Sequence, residues 1–180
     1  LEAAGLGSRS HHDAHYDLIL PPLAVAAGLG ELGRNNILVA DRYGSRVRIG
    51  AVTTGVPLEQ GEPVDLGVRY FCEICRKCAD ACPSHALSKG GRKGVAGVRK
   101  WPTRVEACYG LWRAYGTDCG ICLATCPFSH RKSRLHDLVR MLIRRFRWSH
   151  RPALWFDDRI YGRQWRPMAP VSDAGRPGPP

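Results

Sequence analysis

Long apolar runs are scarce in this sequence of 180 residues. The longest uncharged apolar-rich stretch, residues 18–30, is interrupted by Pro21, Pro22 and Gly28, and it is shorter than the roughly 20 residues that cross a bilayer as a helix. We therefore predict no transmembrane helix and no signal peptide within these residues. Because the sequence begins with Leu1 and not with methionine, we expect a part of a longer protein. The compartment stays open between cytoplasmic and exported.

Acidic residues are also few, with 16 Asp and Glu against 27 Lys and Arg and a net charge of +11. Most of the excess lies in residues 127–180, which contain 12 basic and 4 acidic side chains. A content of 44% hydrophobic and 24% charged residues is typical of a folded domain. Residues 166–180 are rich in proline and glycine, and we expect them to be disordered.

Cysteine is absent outside residues 72–126, yet eight cysteines lie within this range. The first four follow the C-x2-C-x2-C-x3-C-P spacing of bacterial [4Fe–4S] ferredoxins. The second four end in a C-x2-C-x3-C-P copy, but their first member lies further upstream. The first group is Cys72, Cys75, Cys78 and Cys82, and the second is Cys108, Cys119, Cys122 and Cys126.

Two imperfect copies of this run predict two clusters with exchanged ligands, because the fourth cysteine of such a run binds the neighbouring cluster. The first cluster is assigned to Cys72, Cys75, Cys78 and Cys126, and the second to Cys82, Cys108, Cys119 and Cys122. A disulfide framework is disfavoured because such scaffolds spread their cysteines along a short secreted chain. A zinc site is disfavoured because two C-x2-C pairs suffice for it.

The N-terminal third predicts a short helix over residues 18–27, begun by a proline and ended by glycines. Residues 28–33 match the G-x-G-x-x-G dinucleotide fingerprint. That motif requires a strand before it and a helix after it. Here a predicted helix precedes it and strand-like residues 37–40 follow. We therefore reject a dinucleotide site and expect these glycines to permit a close backbone approach.

Further predictions concern polar and basic residues. A second strand is predicted over residues 46–53, after a turn at 41–45, with Arg46 and Arg48 on one face. This face is either a solvated edge or a basic wall toward a ligand. For the polar residues 1–17, a solvated turn is favoured over a metal site formed by His11, His12 and His15.

The residues after the first cysteine group predict an exposed loop at 88–100 and an apolar helix over 101–115 that covers a cluster. Ser133 is a predicted N-cap of an amphipathic helix that packs on its own domain. The apolar face of this helix comprises Leu135, Leu138, Val139, Leu142 and Phe146.

These motifs resemble those of corrinoid-dependent reductases with two clusters, and among them the reductive dehalogenases. The resemblance covers about residues 15–165. It rests on residues 20–24 (LPPLA), 27–31 (AGLGE), 44–48 (GSRVR), 71–83 (FCEICRKCADACP), 116–122 (GTDCGIC) and 126–130 (CPFSH). The sister family, epoxyqueuosine reductase, usually has G-C-D-V-C and C-P-W-N in the second group, which this chain lacks.

The resemblance implies an α+β fold, in which a piece of a nitroreductase-like cobalamin-binding core precedes a ferredoxin-like double [4Fe–4S] domain. The core piece corresponds to residues 1–66 and the double-cluster domain to 67–132. An amphipathic helix and basic extension at 133–165 and the tail at 166–180 follow.

The function implied by the resemblance is a relay of single electrons through two [4Fe–4S] clusters to cobalamin, which removes halide from an organohalide. Arg48 is a candidate catalytic residue, and Gly28, Gly30, Gly33 and Arg46 are candidate corrinoid contacts. An upstream tyrosine supplies a proton in the family, and the surroundings of Tyr16 do not support that role. We expect this chain not to be catalytic alone.

The implied partners are a redox donor protein or small reductant and, in the full-length enzyme, an organohalide and a membrane-anchor partner. Nucleic acid is not expected as a partner. Two alternatives stay open. The chain is either a stand-alone carrier of two clusters or an epoxyqueuosine-reductase-like enzyme that modifies tRNA, for which the basic tail would contact the RNA backbone.

Overall fold

The computed structural model describes residues 2–12, 15, 17–59 and 61–163. Tyr16 and the predicted disordered tail at 166–180 lie outside the described residues. The described helices are α1 (Leu20–Ala26), α2 (Val68–Cys75), α3 (Lys77–Asp80), α4 (Val105–Tyr115), α5 (Ile121–Ala124), α6 (Arg134–Arg145) and α7 (His150–Tyr161). Single 3-10 turns lie at Glu2–Ala4, Pro127–Ser129 and Arg147–Ser149.

The described strands are short and form three separate antiparallel pairs. They are β1 (Ser8–His11), β2 (Glu31–Leu32), β3 (Leu38–Val39), β4 (Ala51–Thr54), β5 (Lys93–Val95) and β6 (Val98–Lys100). β1 pairs with β4, β2 with β3, and β5 with β6. The fold is therefore a mixed one, in which helices pack around small ladders. The nitroreductase-like identity of residues 1–66 stays a prediction.

Helix α1 forms where the sequence predicts it. Its first turn contains Pro21 and Pro22, where the missing backbone N–H groups have no helical acceptor to serve. Gly28 follows the helix with a positive φ of 75°, which a residue without a Cβ adopts at little cost. The helix therefore ends two residues before the glycine that the pattern indicates.

The predicted strand over residues 46–53 is wrong in its bounds. Residues 46–50 have no regular structure, and β4 covers only Ala51–Thr54. It pairs with β1, so His11 lies opposite Ala51 instead of in a solvated turn. His11 is buried, and its Nε2 lies 3.2 Å from the Thr53 hydroxyl. The sequence did not reveal this pairing because the partner strands lie about 40 residues apart.

The exposed loop predicted at 88–100 contains a β-hairpin. β5 and β6 pair in register around Ala96 and Gly97, and both of these turn residues have positive φ angles, 48° and 76°. Two positive φ values define the turn that matches the twist of a tight hairpin. The hairpin is mostly exposed, as expected, but it is ordered by its backbone pairing.

One apolar core contains side chains from residues 1–66, 67–132 and 133–165, which the sequence analysis assigns to three separate segments. Val39 of β3, Phe71 of α2, Trp101, Phe128 and Ile143 of α6 are buried in one apolar cluster. The Phe71 and Phe128 rings meet edge to face, with centroids 5.3 Å apart, an arrangement that aromatic quadrupoles favour. Burial of each such large side chain contributes about 2 kcal/mol. Helix α6 is therefore held by the same core as the first cysteine loop.

Two helices differ from their predictions in what they bury. Of the side chains of α4, all of which the structure describes, none is fully buried, and Tyr109, Trp112 and Tyr115 are exposed. That this helix covers a cluster stays a prediction. Helix α6 begins at the predicted N-cap, where the Ser133 hydroxyl accepts a hydrogen bond from the His136 N–H. However, α6 buries Ile143 and partly buries Val139, while Leu135 and Leu138 of the predicted apolar face are exposed.

The length and polarity of the described helices agree with the prediction of no transmembrane helix. Within residues 2–163, excluding the few that are not described, no helix combines the length and apolar character that a bilayer crossing requires.

Candidate metal centre

The two cysteine runs fold into the same local structure. In each copy, the residue directly after a cysteine has a left-handed backbone: Arg76, after Cys75, has a φ of 54°, and Gly120, after Cys119, has a φ of 62°. A four-residue helix follows in each case, α3 or α5. The left-handed residue reverses the chain, so the cysteines on either side of it can face a common point. The internal repeat in the sequence is thus also a repeat in the backbone.

The first set of four thiols lines a common cavity. Cys72 and Cys75 lie on α2, Cys78 lies on α3, and Cys126 comes from the end of the second run. Together with Phe71, Pro127 and other residues they line one cavity. The cysteine from the second run therefore joins three cysteines of the first run, as the exchanged-ligand prediction requires. That these thiols are cluster ligands stays a prediction.

The second set of thiols lies beside the first and nearer the surface. Cys82 is buried, whereas Cys108 and Cys122 are partly buried and pack against the same small apolar cluster. Cys122 interacts electrostatically with Cys119, Cys108 and Cys82. Cys78 of the first set packs against this cluster too, so the two sets are neighbours. Cys108 is supplied by the exposed helix α4.

Burial and mutual proximity raise the pKa values of the first set. Burial, and then the neighbouring Cys126 and Cys75, raise the pKa of Cys72 well above its ordinary value. Burial raises the pKa of Cys75 to about 12, although the Lys77 N–H opposes it. Four clustered thiolates repel one another. A bound iron centre would relieve this repulsion, and its binding would release protons.

Cys82 differs from its neighbours because it is well supplied with donors. Burial acts to raise its pKa, but hydrogen bonds from the Ser84 hydroxyl and from the N–H groups of Ala86 and Leu87 outweigh burial and lower the pKa. Hydrogen bonds of this kind stabilise a thiolate. The surroundings of the fourth cysteine of the first run therefore favour its thiolate form, which is the form that binds a metal.

The thiols do not form a single-ion site. Among the described residues, no group of three or more His, Cys, Asp or Glu side chains is arranged to hold one metal ion. A tetrahedral zinc requires its four sulfurs about 2.3 Å from one centre. In a cubane each thiolate binds a different iron, so the sulfurs lie further apart. The described thiols therefore do not match the compact geometry of an isolated four-sulfur ion site.

The other predicted site residues are not gathered around a common centre. The Arg46 guanidinium donates to the His130 carbonyl at 3.1 Å, and Arg48 is exposed. A Cβ on Gly28 would lie 2.4 Å from the Glu62 carbonyl oxygen, and one on Gly30 would lie 2.3 Å from that of Val39. These two glycines therefore permit close approaches within the chain itself. Gly33 instead lines the first thiol cavity. The roles of all five toward a corrinoid or substrate stay predictions.

A buried charge network beside the first cysteine set was missed by the sequence reasoning. Lys77, between Cys75 and Cys78, is only 2% exposed, and its ammonium group is ion-paired with Asp157 of α7. The other oxygen of Asp157 lies 2.5 Å from His130 Nε2, and the His130 ring stacks on Tyr161 at 3.8 Å. The available signal was a lysine within the cysteine loop and two adjacent aspartates in an otherwise basic helix.

Two further residues hold helix α2 and the thiol of Cys126. The buried carboxylate of Glu31 accepts from the N–H groups of Leu66 and Val68 at 2.8 and 2.9 Å, which satisfies the free donors where α2 begins. The Ser45 hydroxyl donates to Cys126 Sγ at 3.6 Å. Glu31 lies within the G-x-G-x-x-G stretch that we reject as a dinucleotide site. This stretch therefore has a structural role, because it supplies the carboxylate that binds the start of α2.

Comparison with known proteins agrees with the iron–sulfur interpretation. Residues 71–130 match the family described as a 4Fe-4S dicluster domain. Over 147 residues the chain is 37% identical to the tetrachloroethene reductive dehalogenase of Sulfurospirillum multivorans, covering 77% of this chain and 29% of that protein. Over 112 residues it is 32% identical to the epoxyqueuosine reductase of Lactococcus garvieae, covering 59% of this chain and 31% of that protein.

The fold has a counterpart among solved structures. The catabolic reductive dehalogenase NpRdhA, in complex with 3-bromo-4-hydroxybenzoic acid, superposes with a TM-score of 0.80 at 31% identity. The match covers 88% of this chain and 23% of that one. This chain thus spans about a quarter of the length of the dehalogenases that it matches, and the matched part is their C-terminal region. The chain is similar to the C-terminal region of reductive dehalogenases, and the epoxyqueuosine reductases are also among its relatives.

Proposed function

We propose that this chain is the electron-transfer portion of a corrinoid-dependent reductive dehalogenase, in which two [4Fe–4S] clusters pass single electrons to cobalamin. The observation that carries the proposal is the division of eight thiols into two neighbouring sets of four. Each set contains the last cysteine of the other run, namely Cys126 in the first set and Cys82 in the second. Sequence identity of 37% to a tetrachloroethene reductive dehalogenase supports the same assignment.

The described residues fit the clusters. Cys72, Cys75, Cys78 and Cys126 would hold the first, and Cys82, Cys108, Cys119 and Cys122 the second. When bound, the clusters supply one-electron exchange at potentials set by charge, hydrogen bonds to sulfur and solvent exposure. Around the first set this chain provides apolar walls from Phe71 and Phe128. The hydroxyl of Ser45 donates to Cys126.

The proposed reaction replaces a carbon–halogen bond by a carbon–hydrogen bond. It consumes two electrons and one proton and releases one halide ion. Because each cubane passes one electron at a time, two successive transfers through this chain complete one turnover. The relatives' names give tetrachloroethene and trichloroethene as substrates of those proteins, and we infer an organohalide here.

The described residues do not fit a corrinoid by themselves. Gly28 and Gly30 pack against this chain's own carbonyl groups, and Arg48 lies exposed on a segment without regular structure. The structure of one related reductive dehalogenase suggests a mechanism for B12-dependent dehalogenation by that protein. We infer that cobalamin, the substrate and the proton donor are held mainly by parts of the protein outside these 180 residues.

The electron donor is proposed to be a redox protein or a small reductant, and a membrane-anchor partner is retained as a proposal. The second candidate function is a stand-alone two-cluster carrier, which is favoured by the presence of all eight thiols in this one chain. The reading frame upstream of Leu1 distinguishes them. A continuous frame of several hundred further codons supports the dehalogenase, and a start codon immediately before Leu1 supports the carrier.

Anaerobic reconstitution tests the iron–sulfur assignment directly. We expect about eight irons and eight sulfides per chain, and an electron paramagnetic resonance (EPR) signal after reduction with dithionite. A cobalamin titration of the same sample is expected to show no uptake. Protein that stays colourless and has no EPR signal after reduction would overturn the proposal. Stoichiometric cobalamin binding would contradict the inference that the corrinoid is held elsewhere.

A further inference from the structure

Arg34 has an unusual position for an arginine. It is 3% exposed, and its guanidinium group lies 4.8 Å from the centre of the Trp101 ring. All five of its N–H groups point to main-chain carbonyls. Nε and Nη2 donate to the Cys72 carbonyl at 3.1 and 3.0 Å, Nη1 donates to those of Ser88 and Gly90 at 2.8 and 3.0 Å, and Nη2 also approaches that of Glu73 at 3.5 Å.

The charge of Arg34 is not neutralised by a carboxylate. Its recorded partners within the described residues are neutral carbonyl groups, and the side chain of Glu73 is ion-paired with Arg92 at 3.1 Å. Carbonyl oxygens satisfy the N–H groups of a guanidinium but carry no net charge. A buried charge without an opposite charge is costly. The surroundings of Arg34 therefore favour an anion in the space that it faces.

That space is the first thiol cavity. Arg34 lines it together with Cys72, Cys75, Cys78 and Cys126, and its charge interacts with Cys72, Cys78 and Cys75. The thiols with which it interacts all belong to the first set. A cubane with four thiolates carries about −2 when oxidised and one further negative charge when reduced.

We propose that Arg34 is the counter-charge of the first cluster and raises its reduction potential relative to that of the second. This inference rests on the proposed function, since it requires a cluster at Cys72, Cys75, Cys78 and Cys126. A fixed cation stabilises the more negative, reduced state more than the oxidised state. The first cluster is then a better electron acceptor than it would be without this charge. Arg34 also holds the Cys72 carbonyl and so positions the ligand loop.

The test is a redox titration of the reconstituted chain, followed by EPR. In Arg34→Gln we expect the equilibrium constant for reduction of one cluster to fall at least tenfold, which corresponds to about 59 mV for a one-electron couple. The second cluster should keep its potential. The matched control is Arg92→Gln, because Arg92 also lies over Trp101, at 5.5 Å, but does not line the cavity. Its two potentials should equal those of the wild type.

Arg34→Lys separates charge from hydrogen bonding. The lysine ammonium group keeps the charge but cannot reproduce the five-donor fork. We therefore expect the equilibrium constant for reduction of the first cluster in Arg34→Lys to stay within about twofold of the wild-type value. Loss of iron in Arg34→Gln but not in Arg34→Lys would also support a required counter-charge. Unchanged potentials in Arg34→Gln, equal shifts of both clusters, equal shifts in both variants, or loss of iron in both variants would overturn the proposal.

These outcomes are separable from a failure of the proposed function. Wild-type protein that binds no iron would refute the cluster assignment itself. Wild-type protein with two clusters and an unresponsive Arg34→Gln variant would refute only the role of Arg34.

Discussion

Lys77, in the first cysteine loop, is ion-paired with Asp157, 80 residues later on helix α7. Both side chains are almost fully buried, at 2% and 9% exposure. Asp158 lies 3.4 Å from the same ammonium group. Helices α6 and α7 therefore pack against the segment that carries the first thiol set.

The first prediction concerns this ion pair. Asp157→Asn should lower the free energy of unfolding by about 3 kcal/mol, because it leaves Lys77 buried with a weaker partner. Urea unfolding of the anaerobic holoprotein, followed by circular dichroism, measures the change. The control is Asp137→Asn, whose exposed carboxylate pairs with Arg140 at 3.2 Å. That variant should lose less than about 1 kcal/mol, and similar losses in the two variants would contradict the prediction.

The second prediction is a pH dependence at His136, which links α6 to α7 through the Tyr161 hydroxyl at 3.0 Å. Burial, and then the positive charges of His130 and Arg140, lower the pKa of His136 below 6.5. A group whose pKa is lower in the folded state stabilises the fold above its unfolded pKa, and this contribution is lost as the pH falls through the folded pKa. Wild-type stability should therefore decrease below about pH 6.5.

The matching measurement is the unfolding free energy at pH 8 and at pH 6. In His136→Gln the decrease between these pH values should be smaller than in the wild type, since the variant has no group to protonate at this position. An identical decrease in both proteins would assign the pH dependence to other groups.

The third prediction tests the exchange of ligands between the runs. Cys78→Ala and Cys126→Ala should lose the same cluster, although 48 residues separate them. Cys82→Ala should lose the other cluster, although it lies four residues from Cys78. Iron content should fall to about four per chain in each variant, and EPR of the surviving cluster identifies which one is left. If Cys78→Ala and Cys82→Ala keep the same EPR signal, the assignment is wrong.

The fourth prediction concerns the contact between Gly44 and the C-P-F-S-H segment. Gly44 has a φ of 59°, and a Cβ there would lie 1.7 Å from the Phe128 carbonyl oxygen. Gly44→Ala should lower the free energy of unfolding by more than about 1 kcal/mol. Gly94→Ala is the control, since no atom lies within 4 Å of its Cβ position. The comparison uses thermal unfolding of both variants, and equal midpoints would contradict the prediction.

Local features could be predicted from the sequence because neighbouring residues determine them. Pro21 and Pro22 start α1 and Gly28 follows its end, and the Ser133 hydroxyl caps α6. Each depends on backbone geometry and hydrogen bonds within a few residues. The sequence also predicts how the thiols are grouped, because a run that repeats with exchanged ligands has one consistent arrangement; this grouping into cluster ligands stays a prediction.

Long-range features were not predictable in the same way. The pairing of β4 with β1 depends on two segments about 40 residues apart that carry no shared motif. The exposure of Leu135 and Leu138 depends on which side of α6 meets the core, and a broad apolar face allows more than one orientation. Arg34 and Lys77 were overlooked because charged side chains next to polar residues usually lie in solvent.

The spacing of the cysteines and the helix caps are properties of the sequence alone, because covalent distance and local backbone energies govern them. Tertiary structure decided which charges leave the solvent. Arg34 is buried because main-chain carbonyls at residues 72–90 accept its hydrogen bonds. Lys77 is buried because the carboxylate at residue 157 pairs with it. Desolvation and charge pairing depend on what the folded chain brings near, and no local pattern records that.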